Sequence, residues 1–202
     1  MTLLVAGLLI FLAVHSVRIG ADAWRSAQIA KHGIKTWKGA YALVSIVGLV
    51  LIIWGYGIAR QSPLVLYSPP AWTRHLAALL TLVAFVMIAA AYVPETRIKA
   101  RFRHPMVAGV KIWAFAHLLA NGTLADVVLF GSFLAWAVLN YSAAIRRDRA
   151  ANVGYVVGPL SRDLTAVVIG TVAWVVFTFW LHQLLIGVRP LGNLLQAIAP
   201  AL

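Results

Sequence analysis

The 202-residue chain contains no cysteine, which excludes disulfides, thiolate catalysis, Fe–S clusters and thioether-linked haem. It contains only five acidic residues, too few for a carboxylate-rich Mg²⁺ or Ca²⁺ cage. Asp22, Glu95, Asp126, Asp148 and Asp163 all fall at or beyond the ends of apolar runs, so no pair of carboxylates is set up for acid–base hydrolysis. Charge of either sign is scarce. Charged residues make up 11% of the chain and hydrophobic ones 62%, against about 25% and roughly 45–50% in soluble domains. Also absent are G-x-S-x-G, H-E-x-x-H, Walker A and G-x-G-x-x-G motifs, each of which would signal a specific hydrolytic or nucleotide chemistry. A water-soluble globule is excluded.

Long apolar runs are what the chain has in abundance. Residues 1–17, 39–59, 75–94, 127–145 and 164–188 carry no Asp, Glu, Lys or Arg, and residues 105–125 are interrupted only by Lys111. A bilayer core about 30 Å thick needs about 20 such residues per helix, so the pattern predicts an all-α polytopic membrane protein with a six-helix transmembrane bundle. The first run has no basic segment before it and is read as a span rather than a signal peptide. Residues 1–202 form a single domain in this reading, with the apolar stretch 191–202 as an interfacial tail too short to span.

The net charge of +12 could suggest nucleic acid, but the cations sit in short clusters between the runs, which is the membrane pattern. Thirteen of the seventeen Lys and Arg lie in the segments following the first, third and fifth runs, while only Arg60, Arg74 and Arg189 lie on the opposite side. The asymmetry predicts cytoplasmic basic loops and periplasmic termini, in a bacterial inner membrane. The expected partners are membrane lipid and a lipophilic small molecule entering laterally, with no nucleic acid.

Ionisable residues inside a membrane helix are costly and therefore informative. Of the six histidines, His32, His75 and His182 fall in a loop or near an interface, where imidazole is ordinary. His15 and His117 are embedded in apolar sequence. On the fourth run Trp113, His117 and Asn121 recur every four residues, a face that includes Met106. Two readings stand: neutral imidazoles bonding between helices, or ligands to a metal, for which a haem iron is the best-matched chemistry in a cysteine-free, acid-poor chain. Lys111 can snorkel to the cytoplasmic surface or pair with an anionic group such as a propionate. Arg103, His104 and Pro105 stand at the mouth of the same helix, where basic residues can hold a phosphate, a carboxylate or lipid headgroups.

Several stretches resemble the NnrU-like membrane proteins: F-L-A-V-H-S-V-R (11–18), S-I-V-G-L-V-L-I-I-W-G-Y (45–56), R-H-L-A (74–77), R-I-K-A-R-F-R-H-P-M (97–106), K-I-W-A-F-A-H-L-L-A-N-G (111–122) and L-F-G-S-F-L-A-W-A-V (129–138). That family is associated with nitrite and nitric-oxide respiration in denitrifying bacteria. It is related to 15-cis-zeta-carotene isomerase, which holds haem b through two histidines. The resemblance implies non-covalent haem b, with iron ligands at His15 and His117, cofactor contacts from Arg103, His104, Lys111, Trp113 and Asn121, and an isomerase-like activity on a lipophilic substrate. The chain departs from the isomerases at Ala114, where they have Cys, and at Trp136 and 140–142, so haem binding carries over more directly than isomerisation. R-H-P-M also resembles the start of a motif in isoprenylcysteine-type methyltransferases that use S-adenosylmethionine, but Val107 replaces their Tyr. A non-enzymatic assembly factor is the third alternative.

The charge asymmetry has a direct test. Reporter fusions at residues 30 and 100 are expected to be cytoplasmic, and a periplasmic signal from either would overturn the orientation.

Overall fold

The computed structural model describes residues 1–191, so the expected tail past Leu191 lies outside the described residues. The described part is helical, with one isolated antiparallel bridge between Val65 and Thr123 and no strand. In chain order the helices are α1 (Thr2–Gly20), α2 (Asp22–His32), α3 (Ile34–Ala59), α4 (Trp72–Tyr92), α5 (Arg97–Phe102), α6 (Pro105–Ala120), α7 (Leu124–Ala150), α8 (Leu160–Val176) and α9 (His182–Ile186). A π-helical turn, Phe177–Leu181, makes α8 and α9 one continuous rod. α1, α3, α4, α7 and the α8–α9 rod are each long and apolar enough to cross a membrane. This is a multi-pass membrane protein.

Three sequence boundaries are refined. The apolar run 105–125 is helical only to Ala120, in keeping with a short expected loop at 120–126, and Thr123 starts the next helix by capping it. The resulting 16-residue helix is about 24 Å long at 1.5 Å per residue. The first run continues to Gly20, which carries His15 further from the helix end. The first basic loop contains α2, an exposed helix whose Trp24 meets the Trp37 ring edge-on at 5.7 Å while Arg25 lies over the same ring at 5.9 Å.

The helices divide into two compact units, residues 1–68 with 121–153 and residues 69–120 with those from 154 on. In the first unit α1 packs on α3 and α7. Lipid is as apolar as leucine, so membrane helices associate through close packing, which small residues permit. A Cβ at Gly7 would stand 2.6 Å from the Ile52 nitrogen, and one at Gly48 would stand 2.8 Å from the Phe11 nitrogen. Gly55 is tighter still against the Leu4 backbone. Leu9, Ile46, Ile53 and Trp54 stay exposed, as lipid-facing residues should.

In the second unit α4 packs between α6 and α8. Ala84, Ala90, Ala108, Ala116 and Ala166 are buried, and a Cβ at Gly109 would lie 2.9 Å from the Ala84 carbonyl. The Trp174 indole donates to Thr81 Oγ1 at 3.0 Å, tying α8 to α4.

The glycine seam predicts a graded result. Gly55→Ala is expected to destabilise the detergent-solubilised protein by about 1–3 kcal/mol, the usual cost of overpacking. Gly57→Ala on the same helix, where a methyl meets nothing within 4 Å, is expected to leave the unfolding temperature unchanged or slightly raised.

Candidate functional site

His15 is half-buried on α1, and its ring lies in an aromatic surround. The Phe11 ring stacks on it at 4.0 Å, Tyr41 of α3 tilts against it at 5.1 Å, and Trp136 of α7 meets it edge-on at 6.0 Å. Its Nδ1 donates to the Phe11 carbonyl at 2.7 Å. A carbonyl only accepts, so Nδ1 carries the proton and the lone pair sits on Nε2. His117 on α6 repeats the arrangement in the other unit. Its Nδ1 donates to the Trp113 carbonyl at 2.9 Å, and the Trp113 ring lies 5.1 Å away. An N–H···O bond of this kind fixes the ring's tautomer and orientation.

One further feature lies beside His15, and a second lies along α1 without His15 in its lining. The Trp136 Nε1 is shielded from solvent and has no acceptor. An open apolar groove of about 290 Å³ runs along α1 from Val5 to Ser16, closed on the α7 side by Val128 and Ser132. Ser132 and Trp136 are one turn apart on α7. An imidazole lone pair, flat aromatic neighbours and a buried donor lacking an acceptor fit a flat, apolar group that carries its own oxygen atoms. The residues present are compatible with haem b in these respects. Among the described residues no three His, Cys, Asp or Glu side chains converge on a metal position. A haem iron needs no such cluster, because one or two axial side chains suffice.

The remaining sequence candidates fall in several places. Trp113 and Lys111 lie on α6 with His117, both half-buried. Arg103 ends α5 with φ 60° and lies over the Tyr155 ring at 5.9 Å; His104 meets the same ring edge-on at 6.5 Å. Asn121 is one residue past α6 and belongs to the first unit, where its carbonyl accepts from the Tyr67 hydroxyl at 2.7 Å. The helical face expected to run Trp113, His117, Asn121 therefore stops at His117. His32 and His75 are exposed. His182 on α9 also donates from Nδ1 to a carbonyl, that of Val188 at 2.7 Å.

The sequence reading passed over Asp126. It is 5% exposed and is the third residue of a Thr123 capping box. The Thr123 N–H and hydroxyl donate to its Oδ2 at 2.9 and 2.6 Å, and the Tyr56 hydroxyl donates to its Oδ1 at 2.5 Å. The backbone beside it is stitched to loop 61–68 by Leu124 N–H to Leu64 O at 2.8 Å and Leu66 N–H to Gly122 O at 2.8 Å. Partial burial, and secondarily the Asp126 charge, raise the Tyr67 pKa above its ordinary value, which keeps that hydroxyl a donor. The T-x-x-D spacing at 123–126 was the available signal.

The NnrU family profile, described as NnrU protein, matches residues 3–190. The chain belongs to the NnrU family. No curated protein and no solved structure matches it. Within this NnrU-family chain both embedded histidines have their Nδ1 engaged inside their own helix.

Trp136→Phe tests the orphaned donor. It keeps the ring and removes the unpaired N–H, so in haem-free protein it is expected to be neutral or stabilising by about 1 kcal/mol, read from thermal unfolding in detergent.

Proposed function

We propose that this NnrU-family membrane protein binds haem b, which His15 and His117 would hold through their imidazoles. The observation that carries the reading is the shared Nδ1–H to carbonyl bond, which fixes the tautomer of each ring so that Nε2 is the atom that would meet an iron. Bound haem would supply a redox-capable iron in an apolar setting. The chain's own part is to hold each ring at a fixed tautomer, to exclude water with Phe11, Tyr41 and Trp113, and to offer the Trp136 N–H to an acceptor. Arg103, His104, Lys111 and Asn121 are the proposed polar contacts to the cofactor. The family resemblance extends the proposal to an isomerase-like reaction on a lipophilic substrate, or to support of nitrogen-oxide respiration.

The proposed setting is six crossings within one membrane domain of a bacterial inner membrane, with both termini periplasmic. Chain connectivity supports a crossing by α6 despite its length. Leu124 N–H bonds to Leu64 O, so the start of α7 lies beside the loop that follows α3. The Arg147 guanidinium donates to Arg18 O at 2.7 Å, so the end of α7 lies beside the end of α1. Once α4 has crossed, the chain must cross again to reach Leu124, and α6 is the helix available. A 16-residue helix is accommodated by local thinning of the bilayer or by snorkelling at its ends, which suits Lys111.

The test is an absorption spectrum of detergent-purified protein, oxidised and reduced, for the wild type and for each of the six His→Ala variants. His15→Ala and His117→Ala are each expected to lose the low-spin spectrum or most of the haem, His104→Ala to weaken haem retention while keeping the low-spin spectrum, and the other three to retain both. Full haem with an unchanged low-spin spectrum in both variants would overturn the assignment. Wild-type protein without a Soret band, after expression with adequate haem, would favour the assembly-factor reading.

A further inference from the structure

We propose that α5 and its flanks form a binding site for anionic phospholipid headgroups, with Arg97 and Arg101 as the phosphate-binding side chains. Segment 97–103 carries Arg97, Lys99, Arg101 and Arg103, and α5 joins the end of α4 to the start of α6. The first residues of α8 pack against it, since Asp163 Oδ1 accepts the Ile98 N–H at 3.0 Å. The four cations therefore stand where three membrane helices of one unit end, at the level of the headgroups.

The backbone that presents them is held at both ends. Thr96 is fully buried, and its Oγ1 accepts the Lys99 N–H at 2.9 Å. Gly158 N–H donates to Glu95 O at 3.0 Å, and Arg162 pairs with the Glu95 carboxylate. Glu95 and Arg103, on either side of the helix, adopt φ of 53° and 60°. Ile98 packs on buried Ala89, Ala90 and Ala166. These contacts also engage the nearby acids: Glu95 is paired with Arg162, and Asp163 is buried against the α5 backbone.

Arg97 and Arg101 are exposed, and no described ion pair joins either to an acid. They are four residues apart on one helix face, a like-charge spacing that is unfavourable by itself. An anion between them reverses the sign of that interaction, and a guanidinium matches phosphate through a bidentate fork. Phe102, next in sequence to Arg101, is 43% exposed, and Tyr92 at the end of α4 is 74% exposed, the residue types found where helices meet a membrane interface. A nucleic acid would need a longer basic stripe without this apolar border. Each cation near an anionic membrane surface is worth about fivefold in affinity.

The experiment uses full-length protein in detergent, titrated with short-chain phosphatidylglycerol or phosphatidylcholine and read by native mass spectrometry. Phosphatidylglycerol is expected to bind at least about tenfold tighter. The R97Q/R101Q variant is expected to weaken it roughly 30-fold, without changing phosphatidylcholine binding or the lipid-free unfolding temperature. K31Q/K35Q, which removes two exposed lysines elsewhere, is expected to weaken it much less. If the double variant does not fold, R101Q alone is expected to weaken binding about fivefold. Equal losses in both double variants would show diffuse charge attraction and overturn the site. So would unchanged binding in R97Q/R101Q, complete competition by inorganic phosphate at matched concentration, or tighter binding of a short oligonucleotide.

Discussion

Two helices can lie backbone against backbone in a bilayer only where the side chains between them end at Cα or Cβ, and much of this structure depends on that constraint. Water does not drive helices together within the hydrocarbon, so the contact must come from dispersion between closely approaching surfaces. The α1–α3 pair satisfies the constraint with Gly7, Gly48 and Gly55, each of which has the partner's backbone where a Cβ would be. The second unit satisfies it with alanines on α4, α6 and α8 and with Gly109 and Gly170. Large apolar residues consequently face outward, the reverse of a soluble core.

Close packing sets the helix faces, and buried acids fix the helix ends. Asp126 takes three donors from Thr123 and Tyr56, and Asp163 takes the Ile98 N–H of α5. Both acids serve as acceptors for buried groups at helix ends that would otherwise be unsatisfied. This is why a chain with so few carboxylates places two of them among its buried polar residues.

The spans were legible because charge-free length is a one-dimensional property, and each long helix contains most of one charge-free run and extends past it into flanking charges. Local capping was harder to see: Thr123 and Asp126 fall in the short loop expected at 120–126 and read as plain loop residues until their spacing is recognised. α2 was hidden because its charged sequence shows no apolar run. The two histidines were legible as embedded imidazoles, but their partners were not. Tyr41 and Trp136 reach His15 from other helices, and such neighbours depend on packing rather than on spacing along the chain. The groove beside Ser16 and Ser132 has the same origin.

The hydrogen bonds of the histidines bear on what the rings are for. A histidine that only joined helices would gain most by donating to a neighbouring helix, because each interhelical bond adds to association. His15 and His117 each donate from Nδ1 to the carbonyl one turn back in their own helix. Such a bond contributes nothing to helix association and restricts the ring to one tautomer and one orientation. Aromatic neighbours restrict it further: Phe11 stacks on His15, and Trp113 lies against His117. Restriction before a ligand arrives is what a coordinating side chain requires, since ordering it on binding would subtract from affinity. In the proposed haem-binding reading, this restriction is the histidines' own contribution: each ring is held in one tautomer before the cofactor arrives.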